Sequence, residues 1–86
     1  MEYEYSITNE NGKYYQSRHE YVSSDFVWTD HEIDATFMEE SDLLYLLNES
    51  EYHFTNGCHI HIAFKGLYIG NMTIGDFNNA IKGEYR

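Results

Sequence analysis

The fold is decided by the stretch from Cys58 to Met72, which reads CHIHIAFKGLYIGNM. In its first half, apolar and polar residues alternate, with Ile60, Ile62 and Phe64 on one side and His59 and His61 on the other, as in a half-buried strand. Lys65-Gly66 then interrupts the alternation, and a second apolar run follows, which is typical of a tight turn between two antiparallel strands. This stretch therefore predicts a β-hairpin.

The N-terminal part of the chain predicts a second hairpin of the same kind. Residues 2–8 alternate, with Tyr3, Tyr5 and Ile7 on one side, and the turn residues Asn11-Gly12 follow. We expect residues 14–22 to form the partner strand.

A fifth strand is expected between the two hairpins. Residues 23–25 are typical of a turn, and residues 32–38 alternate again, with Ile33, Ala35 and Phe37 placed inward. A helix is the competing interpretation of residues 32–38.

Two short helices complete the expected fold. Ser41 is a good N-cap for an apolar helix through residue 47, and Thr73 with Asp76 forms a capping-box pattern for a helix over 73–82, with Gly83 as its stop. Ile74, Phe77 and Ile81 recur there at helical spacing. We therefore expect a single compact acidic α+β domain over residues 1–86: a mainly antiparallel sheet of about five strands packed with two short helices.

Charge is the most informative total for function. The formal net charge is −10, with 15 Asp and Glu against 5 Lys and Arg. Between Arg18 and Lys65 no Lys or Arg occurs, so the acids of that segment have no basic partner within it. These acids are Glu20, Asp25, Asp30, Glu32, Asp34, Glu39, Glu40, Asp42, Glu49 and Glu51. Such a surface favours a basic protein partner, although an acidic surface kept for solubility is the plain alternative.

The same totals argue against other classes of function. Direct nucleic-acid binding needs Lys and Arg for the phosphates, and stacking by the 9 Tyr and 5 Phe does not replace them. No apolar run is long enough for a membrane span, and residues 1–4 do not resemble a signal peptide, so we expect a cytoplasmic protein. Several of the Tyr side chains are expected at the surface, where Tyr often anchors a protein interface.

No catalytic or cofactor-binding pattern is present, and we expect a protein that is not an enzyme and needs no cofactor. Nothing in the sequence proposes an activated nucleophile or a phosphate-binding glycine loop. His59 and His61 are weak candidates for a metal site, since they share a strand face, with His53 and Glu51 nearby, but a third ligand from another element is required. Cys58, the only cysteine, is expected in the core.

The predicted strand over residues 32–38 suggests a specific use of the charge. On a strand, residues two apart lie about 6.7 Å from each other, so Asp30, Glu32 and Asp34 would form a row of carboxylates spaced like successive phosphates. The expected partner-binding residues are this row and the acids that follow it: Asp30, Glu32, Asp34, Glu39, Glu40, Asp42, Glu49 and Glu51.

Small size, acidity and Tyr/Asn/Ile-rich usage resemble the small inhibitors that phages make against host defence, including anti-CRISPR and anti-restriction proteins. Residues 11–15 and 24–26 are also similar to a segment of phage uracil-DNA glycosylase inhibitors, which are DNA mimics. The resemblance implies an inhibitor that occupies the basic nucleic-acid-binding cleft of a host nuclease, such as a CRISPR effector, inside a bacterial cell. The alternatives are an immunity protein or antitoxin that neutralises a cationic toxin, and a histidine-based metal-binding module.

Overall fold

A five-stranded antiparallel sheet and two helices make up the protein, so the expected α+β fold is confirmed. The computed structural model describes residues 3–49 and 54–84, the last four of these as backbone alone. The strands are β1 (Tyr3–Thr8), β2 (Tyr14–Ser17), β3 (Phe26–Thr29), β4 (His59–Phe64) and β5 (Leu67–Thr73), in the order β3-β2-β1-β4-β5. The helices are α1 (Glu40–Glu49) and α2 (Ile74–Glu84).

Both expected hairpins are present, each with its own turn chemistry. The β4–β5 turn consists of Lys65 and Gly66 alone, with φ of 50° and 82°, which is the two-residue turn that matches the twist of antiparallel strands. The β1–β2 turn is longer, and only Gly12 in it has a positive φ, of 80°. Asn9 organises this turn, because its side-chain oxygen accepts hydrogen bonds from the backbone N–H groups of Asn11 and Lys13.

The strand expected over residues 32–38, between the two hairpins, was predicted at the wrong place. It lies at Phe26–Thr29, whereas Glu32–Asp34 forms a single 3₁₀ turn and Ile33 is 92% exposed. Apolar area explains the difference, since the aromatic rings of Phe26 and Trp28 pack against Phe54 and bury far more surface there than Ile33 and its neighbours offer.

Three boundaries also differ from the expected ones. Strand β2 ends at Ser17, whose hydroxyl donates to the carbonyl of Tyr21 and closes a turn. Helix α1 begins at Glu40, so Ser41 lies inside it, and α2 continues through Gly83 to Glu84. The cap of α2 is confirmed, because Thr73 Oγ1 accepts a hydrogen bond from the backbone N–H of Asp76. The expected apolar position Ile81 lies outside the side chains that the structure describes.

The segment between the 3₁₀ turn and α1 fills a gap in the sheet. Strand β1 pairs with β2 only at Thr8, and further along β1 its partner is Met38, which exchanges two backbone hydrogen bonds with Tyr5 of 2.8 and 2.9 Å. Thr36 contacts the other side of the gap, since its N–H donates to the carbonyl of Tyr15. The hydrogen bonds of Thr36 and Met38 thus attach this segment to both strands. They fix the positions of Glu32, which precedes the segment, and of α1, which follows it.

The core lies between the sheet and both helices. Ile7 of β1 and Ile60 of β4 are register partners and are fully buried. Helix α1 adds Leu43 and Leu46, and α2 adds Ile74 and Phe77, which belong to the same cluster. Cys58 is buried there too, as expected from the sequence.

Tyr15 brings a hydrogen-bonded hydroxyl group into the core. It has no exposed surface, and its hydroxyl donates to the Ser23 carbonyl at 2.5 Å and accepts from the Ser23 N–H at 3.1 Å. The hydroxyl therefore satisfies both backbone groups of Ser23, in the loop between β2 and β3.

We expect Tyr15→Phe to lower the free energy of unfolding by about 1–3 kcal/mol, because both Ser23 groups lose their partner in a partly buried place. The measurement is urea denaturation followed by circular dichroism. The matched control is Tyr45→Phe, which removes the same hydroxyl from an exposed position on α1 and should cost less than about 0.5 kcal/mol. Equal effects of the two substitutions would show that the Ser23 contacts do not stabilise the fold.

Candidate functional site

The face of the sheet opposite the helices carries the two candidate histidines. His59 and His61 lie on the same side of β4, as expected, with ring centroids 6.4 Å apart. His61 Nε2 lies 2.9 Å from Thr8 Oγ1, and His59 Nδ1 lies 3.3 Å from Asn71 Oδ1. Each ring is thus oriented by a neighbouring strand.

A third metal ligand does not join these histidines in the described part of the chain. No group of three or more His, Cys, Asp or Glu side chains there has the arrangement that a metal ion needs. His53 and Glu51, which lie near the histidines in sequence, are outside the described residues. Within the part of the chain that the structure describes, the hypothesis of a metal site therefore has two ligands and no third.

The expected row of carboxylates at Asp30, Glu32 and Asp34 is not present. Glu32 and Asp34 belong to the 3₁₀ turn, in which the N–H of Asp34 bonds to the carbonyl of His31, so these residues do not alternate as on a strand. Asp30 pairs with Lys13 at 3.7 Å. The prediction of phosphate-like spacing is wrong because it depended on a strand that forms elsewhere.

The remaining expected partner-binding acids divide between the two ends of α1. Glu39, Glu40 and Asp42 lie at its start, where carboxylates are favoured by the helix dipole. Glu49 ends the helix, about 14 Å further along its axis at 1.5 Å per residue. Glu51 lies outside the described residues. These acids therefore do not form one patch.

The structure brings a different set of acids together. One surface depression is lined by Glu4, Glu32, Phe37, Ala63, Gly66 and Tyr68. A second is lined by Glu4, Phe37, Met38, Glu39 and Asp42. Because the two share Glu4 and Phe37, they form one continuous surface, which we call the acidic cleft. Its acids come from β1, the 3₁₀ turn and the start of α1.

Sequence reasoning missed three members of the acidic cleft. Glu4 lies outside the segment without Lys or Arg, Phe37 was expected in the core, and Tyr68 was placed in a hairpin without a role. Phe37 and Tyr68 are in fact exposed. The alternation of β1 does place Glu4 on the face opposite Tyr3 and Tyr5, but only the pairing of Glu4 with Ala63 brings it to the cleft.

Two titratable groups beside the cleft have shifted pKa values. Burial first, and then the neighbouring Glu32 carboxylate, raise the pKa of Tyr68 to about 12, while the Ser6 hydroxyl acts in the opposite direction. Burial also lowers the pKa of His61, as does the nearby His59, while the charge of Glu32 acts in the opposite direction. The charge of Glu32 therefore raises the pKa values of two groups on neighbouring strands, Tyr68 of β5 and His61 of β4.

Comparison of the chain with known protein families, with curated proteins and with solved structures finds no match. Among the described residues, neither helix has the length and apolar character needed to cross a lipid bilayer.

The pKa of His61 provides a test of this geometry. We expect His61 to titrate below the ordinary value of 6.5, with Glu32→Gln lowering its pKa further and His59→Gln raising it. The measurement is an NMR titration of the histidine ring protons. Because the unfolded chain then takes up the His61 proton first as the pH falls through 6.5, His61 favours the folded state above that pH and loses this contribution on acidification.

The control for the titration is Glu49→Gln, at the far end of α1, which should leave the pKa of His61 unchanged. A rise of that pKa in the Glu32→Gln variant would contradict the placement of the 3₁₀ turn beside β4.

Proposed function

We propose that this protein is a small acidic inhibitor that binds, through the acidic cleft, a basic nucleic-acid-binding surface of another protein. The observation that carries the proposal is the convergence of Glu4, Glu32, Glu39 and Asp42 on one surface that is lined by no Lys or Arg among the side chains that the structure describes. The proposed partner is a nuclease of bacterial defence, such as a CRISPR effector or a restriction enzyme, and the proposed compartment is the cytoplasm of a bacterial host cell.

The basic side chains that the structure describes do not line the acidic cleft. Lys13 pairs with Asp30, and Arg18 pairs with Asp25 at 3.6 Å. Lys65 follows β4 directly, but its ammonium group lies over the ring of Phe64, 5.4 Å from the centroid. Phe64 alternates with Ala63 and faces the other side of the sheet, so Lys65 does not neutralise the cleft.

The shape of the acidic cleft supports binding to a folded protein more than a role in solubility alone. Its carboxylates surround exposed aromatic surface at Phe37 and Tyr68, which are 41% and 48% exposed. Aromatic residues are enriched at protein interfaces, where the ring provides contact area, and complementary charges select the partner. Carboxylates that served only solubility would not need exposed aromatic rings such as Phe37 and Tyr68 beside them.

The mechanism of inhibition follows from competition for the same cations. A nucleic-acid channel holds phosphates with Lys and Arg, and a protein that supplies carboxylates to those side chains displaces the nucleic acid. The acids of the cleft come from three separate elements, so they form a two-dimensional patch and not a straight row. Carboxylates arranged as a patch would match Lys and Arg side chains that lie on both sides of a nucleic-acid-binding groove.

Neutralising the acidic cleft tests the proposal. We expect the triple variant Glu4→Gln/Glu32→Gln/Asp42→Asn to bind a nuclease partner at least about tenfold more weakly and to inhibit its DNA cleavage less, because three carboxylates leave the interface. The assay measures affinity and cleavage with a panel of purified CRISPR effectors and restriction enzymes.

The matched control is Glu20→Gln/Asp76→Asn/Glu49→Gln, which removes the same three charges by the same chemistry at exposed positions outside the cleft. This variant should keep its affinity within about threefold, since distant surface charges act only through the screened field. Equal losses in both variants would mean that net charge, and not the cleft, controls binding. Absence of binding by the unmodified protein to every member of the panel would reject the proposed target class.

A further inference from the structure

Strand β5 has an open edge next to the acidic cleft. It is the last strand of the sheet, so the backbone groups on its outer side have no strand partner in the described chain. Leu67, Tyr68 and Ile69 are 72%, 48% and 59% exposed, and β5 contains no charged residue and no proline. Natural proteins usually protect such edges with charges, proline or β-bulges, since an open apolar edge pairs with other chains. Strand β5 has a bulge at Ile69 but neither of the other two protections. The other edge strand, β3, is only four residues long and is flanked by Asp25 and Asp30.

We propose that the outer edge of β5 docks an extended segment of the partner protein, and that a Lys or Arg side chain of this segment enters the acidic cleft beside Tyr68. The choice of a basic segment rests on the proposed function, because it takes the partner to be a cationic protein. The inference adds to that function a mode of binding and a site for one side chain.

The register of the sheet connects the edge to the cleft. Tyr68 pairs with Ala63, and Ala63 pairs with Glu4, so these three side chains lie on one face in a row across β5, β4 and β1. A residue that pairs with Tyr68 from the open side would project to the same face, with its side chain about 5 Å from that of Tyr68. A Lys or Arg at that position is long enough to reach the cleft.

The cleft has the chemistry of a cation site. Glu4 and Glu32 provide carboxylates, and Phe37 and Tyr68 provide aromatic faces, all lining one depression that ends at Gly66. A guanidinium or ammonium group is attracted both by carboxylate oxygens and by the faces of aromatic rings. The combination selects a long cationic side chain over a small inorganic cation, which would gain little from the rings.

The buried hydroxyl of Ser6, next to Tyr68, suggests how the hydrogen bonds of the cleft change when a cation binds. Ser6 is fully buried, and its Oγ makes no well-formed hydrogen bond among the described residues, although it lies close enough to the Tyr68 hydroxyl to lower the pKa of Tyr68. The Tyr68 hydroxyl lies between this group and the Glu32 carboxylate. When a cation occupies Glu32, the Tyr68 hydroxyl can tighten its contact with Ser6 into a full hydrogen bond.

A partner of opposite charge fits the site better than a second copy of the chain. Each copy carries a net charge of −10, and β5 has no basic residue to place in the cleft of its neighbour. Pairing of two β5 edges would also bring two acidic clefts close together, and like charges that face each other destabilise a contact.

The test is an NMR titration of the ¹⁵N-labelled protein with a short peptide, acetyl-Thr-Val-Arg-Val-Thr-amide, and with the same peptide carrying citrulline in place of Arg. Citrulline keeps the shape of the Arg side chain and removes its charge. We expect the Arg peptide to shift the amide signals of residues 67–71 and to bind at least about fivefold more tightly than the citrulline peptide. Glu32→Gln should remove this difference, and the control Glu49→Gln should keep it.

Three results would overturn the inference. These are equal binding of the two peptides, shifts that spread over all acidic surfaces without a maximum at β5, and β5 shifts that appear on raising the protein concentration alone, which would assign the edge to a second copy. The peptide experiment needs no nuclease, so its failure leaves the proposed inhibition to be judged by the charge variants. Retained peptide selectivity with no nuclease binding would instead reject the proposed function and keep the cation site.

Discussion

The pairing of β1 with β4 is the constraint on which the rest of the structure depends. Six residue pairs in register join the N-terminal strand to a strand more than fifty residues later, from Tyr3 with Phe64 to Thr8 with His59. Because side chains alternate between the two faces of a sheet, a slip of β1 by one residue would turn Ile7 away from the core and bring Ser6 or Thr8 opposite Ile60 in its place. The same register that buries the core therefore places Glu4 beside Ala63, where it lines the acidic cleft.

Most of the fold follows from local patterns. The hairpins at Asn11-Gly12 and Lys65-Gly66 and the cap at Thr73 each depend on a few neighbouring residues, and their chemistry is visible in the sequence. The third strand is different, since residues 26–29 and 32–38 both carry apolar residues and only one segment pairs with β2. Packing of Phe26 and Trp28 against Phe54 decides between them, and that contact joins residues far apart in the chain. Local alternation of Ile33, Ala35 and Phe37 holds no information about it.

The candidate site could be predicted only in part, for the same reason. Glu32, Glu39 and Asp42 were among the expected partner-binding residues, whereas Glu4 and Tyr68 join them through strand pairing and were missed. Asp30, Asp34 and Glu49 lie outside the cleft that these residues line. Charge counted along the chain identified the acidic segment, but the surface depends on which distant acids the sheet and the 3₁₀ turn bring together. The proposed function accordingly rests on the acidic cleft and no longer on a regular row of carboxylates.

The central claim is that the acidic cleft occupies the nucleic-acid site of its partner. The most direct test is to measure the affinity for a bound nuclease while duplex DNA and salt are varied independently. We expect DNA to displace the protein competitively, and the logarithm of the affinity to fall linearly with the logarithm of the salt concentration, as for ligands that replace phosphates. Binding that resists both DNA and salt, or a complex in which the nuclease holds the protein and DNA together, would contradict the claim.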